Sequence, residues 1–424
     1  MKICMFTNAY LPHVGGVARS VALFTEDLRR KNHQVLVIAP TFSESPEPDP
    51  HILRVPAIQN FNASDFSVRI PVPFLIDQEM DAFAPDLIHS HHPFLLGDAA
   101  LRAARRRRRP LIFTHHTQYE KYTHYVPFDS EPLKQFVSNL ATAYANLCSA
   151  VVAPSDSIAR LIRGRGVEVP VKVIPTGVDL AFFEEGSGDA FRSEWNIPRK
   201  TFVIGTCSRL APEKNLAFLA RAAADYICGD PAALFLVLGE GPSGEDIRRV
   251  FADHGLEKQL IMTGSQSGTA LSNAYSAMDI FVFASKTETQ GLVLLEAMAA
   301  GKPVMALDAS GTREVVKDGR NGRLLPAETA EKQFSKEIAV FRKNPETTDQ
   351  WRAAARRTAQ ELSRRNCARQ LETLYRSVLE ADGAPSDETD DALISWNKLL
   401  EGIKAEWELL TEKTAAAVKK IPTE

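Results

Sequence analysis

A chain of 424 residues, 44% hydrophobic, 24% charged and 8% aromatic, has the make-up of two or three globular domains, each burying its own core. A formal net charge of −3 excludes the general basic excess of a nucleic-acid binder, so any basic partner surface must be local. Five scattered cysteines (Cys4, Cys148, Cys207, Cys228, Cys367) without C-x-x-C spacing predict reduced thiols, and no apolar run approaches the ~20 residues of a membrane span. With a strand pattern instead of a signal peptide at the N-terminus, the expectation is a cytoplasmic protein.

Lys2–Phe6 reads as a buried strand, Thr7–Gly16 as a loop, Val17–Arg30 as a helix and Gln34–Ala39 as the next strand. That order starts a parallel sheet with right-handed crossovers. Gly15-Gly16 is not the G-x-G-x-x-G of a dinucleotide site, and no acidic ribose reader follows at the expected place. A glycine pair ahead of a helix serves either a close ligand approach or a tight turn. Ser43–Pro50, rich in proline and acid, reads as a loop.

Strand signals continue at Ile52–Val55, Leu87–His89 and Leu111–Thr114, with helices at Ile76–Phe83 and Gly97–Arg106. Two of these strands run into histidines, His89, His91 and His92, then His115 and His116. In an open parallel sheet ligands sit beyond the carboxyl ends of strands, so both clusters face the expected crevice. Without a partnering Cys or an H-x-x-x-H helix, these imidazoles do not form a convincing zinc set. One imidazole acting on a substrate while the others pack is the reading adopted. Arg105–Arg109 is an unbroken basic run at a helix end. It is either a solvated terminus favoured by the helix dipole or an attachment to an anionic membrane, at ~1 kcal/mol per cation near acidic lipid. Helices follow at Glu131–Leu147 and Ile158–Arg163, and strands at Ala150–Ala153 and Val171–Ile174.

Phe182–Arg199 reads as a linker into a second unit. There, strands at Phe202–Gly205, Leu234–Leu238, Leu260–Thr263, Ile280–Ala284 and Pro303–Leu307 alternate with helices at Leu216–Tyr226, Gly244–His254, Ala270–Ala277 and Val293–Ala299. The fold class is therefore α/β. Two doubly wound Rossmann-like domains, over 1–181 and 182–380, face each other across a cleft in the GT-B arrangement, and the last helix is free to return to the first domain. Residues 381–424 form a hinge and an amphipathic tail.

The stretch Ser285–Val304 organises the second unit. A strand ends at Ala284, a polar loop follows, and a helix opens near Gly291 and closes at Gly301. Glu288 and Glu296 lie eight positions apart, ~12 Å if helical throughout. Between them the amides of Gly291, Leu292 and Val293 point from a helix N-terminus toward an anion.

In order along the chain stand Gly15-Gly16-Val17, Asp86-Leu87-Ile88-His89-Ser90-His91, Thr114-His115-His116-Thr117 and Ile174-Pro175-Thr176-Gly177-Val178-Asp179. Ser208-Arg209-Leu210-Ala211-Pro212-Glu213-Lys214-Asn215, Gly239-Glu240-Gly241-Pro242 and the Glu288/Glu296 pair follow. Each is weak singly, but their joint order and spacing are specific. From Met1 to about Leu379 the chain resembles the family-four, retaining, nucleotide-sugar-dependent glycosyltransferases. The resemblance implies that Arg209 and Lys214 neutralise the donor diphosphate, Glu296 binds the ribose hydroxyls and Glu288 contacts the donor sugar. It also implies that His116 lies near the transferred sugar, Gly16 near the donor phosphate, and Met262–Gly264 near the base. No metal or other cofactor is expected, since the cationic loop supplies the charge. Gln290 departs from the aromatic or small residue of many relatives and leaves the donor's sugar and base open.

The aromatic stretch after His116, with Tyr119, Tyr122 and His124, is similar to the diacylglycerol-glucosylating branch. A lipid or amphiphilic acceptor is expected, with a soluble sugar or polyol as the alternative, on a protein that is cytoplasmic or peripheral at the inner membrane face. Outside the resemblance, Leu393, Trp396, Leu400, Ile403, Trp407 and Leu410 form a heptad seam that either docks on the chain itself or pairs two chains. The rivals to a UDP-glucose-dependent transferase are a GT-B epimerase or phosphorylase and a non-enzymatic membrane scaffold.

Overall fold

The computed structural model describes residues 1–13, 15–42, 49–58, 68–69, 73–121, 123, 130–381 and 396. The first unit carries strands β1 (Lys2–Phe6), β2 (Gln34–Pro40), β3 (Ile52–Val55), β4 (Ala57–Ile58), β5 (Val68–Arg69), β6 (Leu87–Ser90), β7 (Leu111–Thr114), β8 (Ala150–Ala153) and β9 (Val171–Val173). Its helices are α1 (Gly16–Arg30), α2 (Pro73–Phe83), α3 (Leu96–Arg107), α4 (Glu131–Asn146) and α5 (Asp156–Gly164). Short helices α6 (Leu180–Glu184) and α7 (Gly188–Glu194) lead to the second unit, with strands β10 (Phe202–Cys207), β11 (Ala233–Leu238), β12 (Leu260–Met262), β13 (Ile280–Phe283), β14 (Val304–Leu307) and β15 (Gly322–Leu325). Its helices are α8 (Leu216–Gly229), α9 (Gly244–Asp253), α10 (Gly268–Ala277), α11 (Leu292–Ala299), α12 (Glu331–Lys343), α13 (Pro345–Glu361) and α14 (Arg364–Ala381).

Among the described residues the first sheet runs β3-β2-β1-β6-β7-β8-β9 and the second β12-β11-β10-β13-β14-β15, every pair parallel. Alternation along β1 shows why helices must cover both faces. Cys4 and Phe6 enter a core with residues of α2 to α5, while Ile3 and Met5 enter another with α1 and α14. The second sheet repeats the scheme. Val203 faces α6, α7, α10 and α11, and Phe202 and Ile204 face α8, α9 and α12. The architecture is GT-B: two doubly wound Rossmann-like sheets with loops meeting between them.

Most predicted elements appear within one to three residues of their expected ends. The segment read as a linker is different. Phe183 and Phe191 are buried in the second core, and α6 and α7 pack on α10. Apolar side chains at helical spacing override the loop-like glycines and acids, so the second unit begins at α6. As expected, Glu288 stands in the loop and Glu296 on the helix, since α11 starts at Leu292 behind Gly291.

α14 closes the chain back on the first unit. Cys367, Leu371, Leu374, Tyr375 and Val378 enter the core shared with β1, β2 and α1. At its start Arg364 reaches Asp27 at 2.8 Å and Glu26 at 2.6 Å on α1, and Asp179 at 2.8 Å at the head of α6. This one guanidinium thus pins both units to the returning helix.

The arginine run is largely engaged inside the first unit. Arg106 pairs with Asp77, Arg107 pairs with Asp77 and Asp81 on α2, and Arg105 donates to the Leu147 carbonyl. Arg108 and Arg109 stand exposed beyond these contacts. Of the tail, Trp396 is buried in the first unit, donates to Asp98 at 3.1 Å and meets the Tyr144 ring at 5.6 Å. The other seam positions, Leu393, Leu400, Ile403, Trp407 and Leu410, and with them the paired-chain expectation, lie outside the described residues. So do residues 43–48 of the proline- and acid-rich loop.

Candidate active site

Strand order in each sheet reverses its winding once, between β1 and β6 in the first unit and between β10 and β13 in the second. At such a switch the flanking loops part on opposite faces and leave a crevice at the strand ends. The loops that carry Arg209, Lys214 and Glu288 follow β10 and β13, so they open at that point of the second sheet. The Gly15-Gly16 loop and His91 follow β1 and β6 at the matching point of the first.

Lys214 and Glu288 meet there at 2.5 Å, each with less than a fifth of its side chain exposed. Burial works to raise the Glu288 carboxyl, but the charge of Lys214 and hydrogen bonds from Lys214 and Ser285 outweigh it and hold it below its ordinary value. Arg209, on the same loop, is more exposed and pairs with Glu213 at 2.7 Å. The loop can make this turn because Asn215 takes a left-handed backbone (φ 54°), which a short polar side chain tolerates. Gly291, left-handed at φ 70°, heads α11, and the amides of Leu292 and Val293 precede the first hydrogen bond of the helix, which Leu294 donates to the Gly291 carbonyl at 3.0 Å. A side chain at Gly291 would also meet Leu294 at 2.7 Å, so backbone conformation and packing both demand glycine. Arg209, Lys214, Glu288 and the head of α11 thus all lie on the loops that leave β10 and β13 at the switch point, and the Lys214–Glu288 pair ties these two loops together.

Glu296 sits one turn into α11, buried, with Oε1 taking Arg19 of α1 at 2.8 Å and Oε2 taking the Tyr275 hydroxyl at 2.7 Å. Gly264 (φ 71°) follows β12, where its carbonyl accepts from Gly239 at 2.9 Å. On the facing unit Gly16 opens α1, and a side chain built there would meet nothing within 4 Å.

The histidines separate by their partners. His89 is bonded on both ring nitrogens, to Tyr375 of α14 at 2.6 Å and to Thr114 at 2.7 Å. His115 packs edge-on against Phe113 and Tyr119. His116 is half-buried and shares a 2.9 Å hydrogen bond with His91, whose ring lies 4.2 Å from that of His89 at a tilt of 34°. Burial holds His91 and His116 well below the ordinary imidazole value, so both are neutral at pH 7. Tyr119 requires a correction as an acceptor contact. Its ring packs on Phe94 and His115 and its hydroxyl is buried, so it braces the loop instead of facing the crevice. Tyr122 and His124 lie outside the described residues.

Sequence reasoning missed the contacts that join the units. Gln290 is buried, accepts from the Thr176 amide at 2.7 Å and donates to the Thr176 carbonyl at 2.5 Å. Gln118 donates to the Glu288 carbonyl at 3.3 Å, and Lys121 to the Lys286 carbonyl at 3.5 Å. Position 290 stood out only as an unusual residue before a glycine, and its role is to fasten the loop ahead of α11 to the opposite unit.

The pattern described as Glycosyltransferase Family 4 matches residues 14–182, and that described as Glycosyl transferases group 1 matches residues 188–358. The alpha-monoglucosyldiacylglycerol synthase of Acholeplasma laidlawii is 28% identical over 394 residues, 90% of this chain and 98% of that protein. The GDP-mannose-dependent alpha-mannosyltransferase of Mycolicibacterium smegmatis is 31% identical over 77% of this chain and 84% of its own length. Among solved structures, Anabaena HepE in complex with UDP-glucose superposes with a TM-score of 0.70 at 21% identity, covering 89% of this chain and all of that one, a likeness of fold. A crevice bordered by cations and helix amides between two doubly wound sheets, and relatives of this kind along nearly the whole chain, lead to one conclusion: the chain belongs to Glycosyltransferase Family 4.

Proposed function

We propose that the chain transfers glucose from UDP-glucose to a hydroxyl of diacylglycerol or a related amphiphile, with retention at the anomeric carbon. The observation that carries this reading is the Lys214–Glu288 pair beside the amino end of α11. A cation, a held carboxylate and a helix dipole close together support a site for a diphosphate joined to a hexose. Arg209, Lys214 and the amides of Gly291, Leu292 and Val293 take the charge that develops on the leaving nucleotide. Glu288, kept ionised by Lys214, accepts hydrogen bonds from the sugar, and neutral His116 faces the transferred group. The departing phosphate oxygen takes the proton of the acceptor hydroxyl on the same face from which it leaves, so configuration is kept without a protein nucleophile. Because side chains and helix amides neutralise the diphosphate, the reading requires no metal.

The acceptor side is supported by the likeness to the Acholeplasma alpha-monoglucosyldiacylglycerol synthase, which matches over nearly its full length. Among the described residues no helix is long and apolar enough to cross a membrane. The exposed cations of the arginine run, Arg106 (paired with Asp77), Arg108 and Arg109, suit contact with an anionic lipid surface. The Mycolicibacterium relative, named for GDP-mannose, supports a second donor.

A screen of UDP-, GDP- and ADP-hexoses for donor hydrolysis, then of diacylglycerol vesicles against soluble sugars, tests the reading. UDP-glucose turnover onto the lipid with retained configuration is expected, and Lys214→Ala should lower kcat by about 10²-fold or more. Turnover of GDP-mannose alone would overturn the donor assignment, and turnover undiminished in Lys214→Ala would overturn the site.

A further inference from the structure

Arg19 comes from the unit opposite Glu296. It lies three residues beyond Gly16, on the face of α1 that looks into the crevice, one turn from the helix start. Its guanidinium is 2.8 Å from Glu296 Oε1 and 6.0 Å from the centre of the buried Phe183 ring. The Glu296 side chain is only 4% exposed, while Arg19 remains 39% exposed. An ionised carboxylate that deep costs several kcal/mol unless a charge partner meets it. Its one ion-pair partner among the described residues is Arg19; its other oxygen takes the neutral hydroxyl of Tyr275.

A carboxylate offers about four lone-pair directions, and Arg19 and Tyr275 occupy one on each oxygen. The remaining pair, one per oxygen, has the spacing of a vicinal diol. Arg19 and Tyr275 therefore hold the plane of the carboxylate while leaving it able to accept two hydroxyls.

We propose that Arg19 is a positioning residue for the donor ribose: it holds the Glu296 carboxylate oriented from across the cleft, so the ribose subsite is complete only when the two units meet. The inference rests on the nucleotide-sugar reading above and adds a residue from the acceptor-side unit to a subsite on the donor side. Substituting Arg19 by Ala leaves a buried carboxylate without its cation. That carboxylate then turns from the plane in which Arg19 held it and accepts the diol poorly.

Calorimetric titration of UDP and GDP, each beside its 2′,3′-dideoxy form, into wild type, Arg19→Ala and Arg19→Lys tests this. For the ribonucleotide that wild type binds, Arg19→Ala should weaken affinity about tenfold. The dideoxy form, already weaker on wild type, should lose less than about twofold, because the group that Arg19 positions has nothing to hold. Arg19→Lys, which keeps the charge, should recover part of the loss. Comparing two ligands on the same folded variant cancels any general damage to the protein. Equal losses for the ribose and dideoxy forms, or a wild type indifferent to the missing hydroxyls, would overturn this inference alone. A wild type that binds no nucleoside diphosphate would overturn the functional reading and this inference with it.

Discussion

Gly16 is a glycine that the fold itself does not require. Its backbone is helical, and a side chain there would meet no atom within 4 Å. Gly291, by contrast, is fixed by a left-handed backbone and by Leu294. On the proposed function, a bare backbone at Gly16 serves the approach of the donor phosphate. Gly16→Ala should therefore leave the thermal midpoint unchanged or slightly raised, since Ala is the better helix former by about 0.5–1 kcal/mol. In the same variant kcat/KM for the donor should fall by about tenfold or more, which parallel melting and steady-state assays would show. A midpoint that drops with activity would place the glycine in the fold rather than in the site.

At the level of elements, two devices set how the units sit against each other. The loop from β13 to α11 is fastened to the segment after β9 by the paired hydrogen bonds of Gln290 to the Thr176 backbone. Thr176 in turn bonds Ser20 of α1 at 2.5 Å, so the loop ahead of α11, the segment after β9 and α1 form one chain of contacts. Gln290→Ala removes both side-chain bonds at about 1 kcal/mol each and should loosen closure. The expected result is a kcat lower by about tenfold with a larger radius of gyration in solution scattering. An unchanged radius would mean that the remaining contacts suffice to hold the units. The second device is α14, whose Arg364 meets Asp27, Glu26 and Asp179 while almost wholly buried. Arg364→Ala strands these carboxylates and should cost about 3 kcal/mol in denaturant unfolding. A loss under about 1 kcal/mol would show that the apolar face of α14 docks without it.

For the molecule as a whole, the histidines under the cleft make stability depend on pH. Burial holds His89 down at about 3 and His115 at about 4, both far below the value of an exposed imidazole. In the unfolded chain each titrates near pH 6.5. Between these limits the unfolded chain binds protons that the folded protein refuses, so stability falls as pH falls. Their contribution is complete above about pH 6.5 and declines toward pH 4, at up to about 1.4 kcal/mol per pH unit for each fully buried imidazole. Denaturant midpoints at pH 7.5, 6 and 5 should fall in that order. A flat profile would mean that these imidazoles take up protons in the folded state. Because His89 also bonds Tyr375 of α14, acid should release the returning helix together with the floor of the crevice.

Two parallel sheets were legible in the residues alone, because apolar runs such as Ile3–Phe6 and Phe281–Phe283 alternate with amphipathic helices, and that periodicity is local. The loop that holds Lys214, the helix start at Gly291 and the charged residues between them were legible for the same reason: each motif is short and lies at the end of a strand. Pairing was not legible. Glu288 finds Lys214 seventy-four positions away, Gln290 finds Thr176 across one hundred and fourteen, and Arg19 reaches Glu296 from the other unit. Tyr119 looked free to meet an acceptor until packing placed its ring on Phe94 and His115. Spacing along the chain determines which face of an element a residue occupies. Which distant partner meets that face depends on how the two sheets close on each other, and that is a property of the assembled packing.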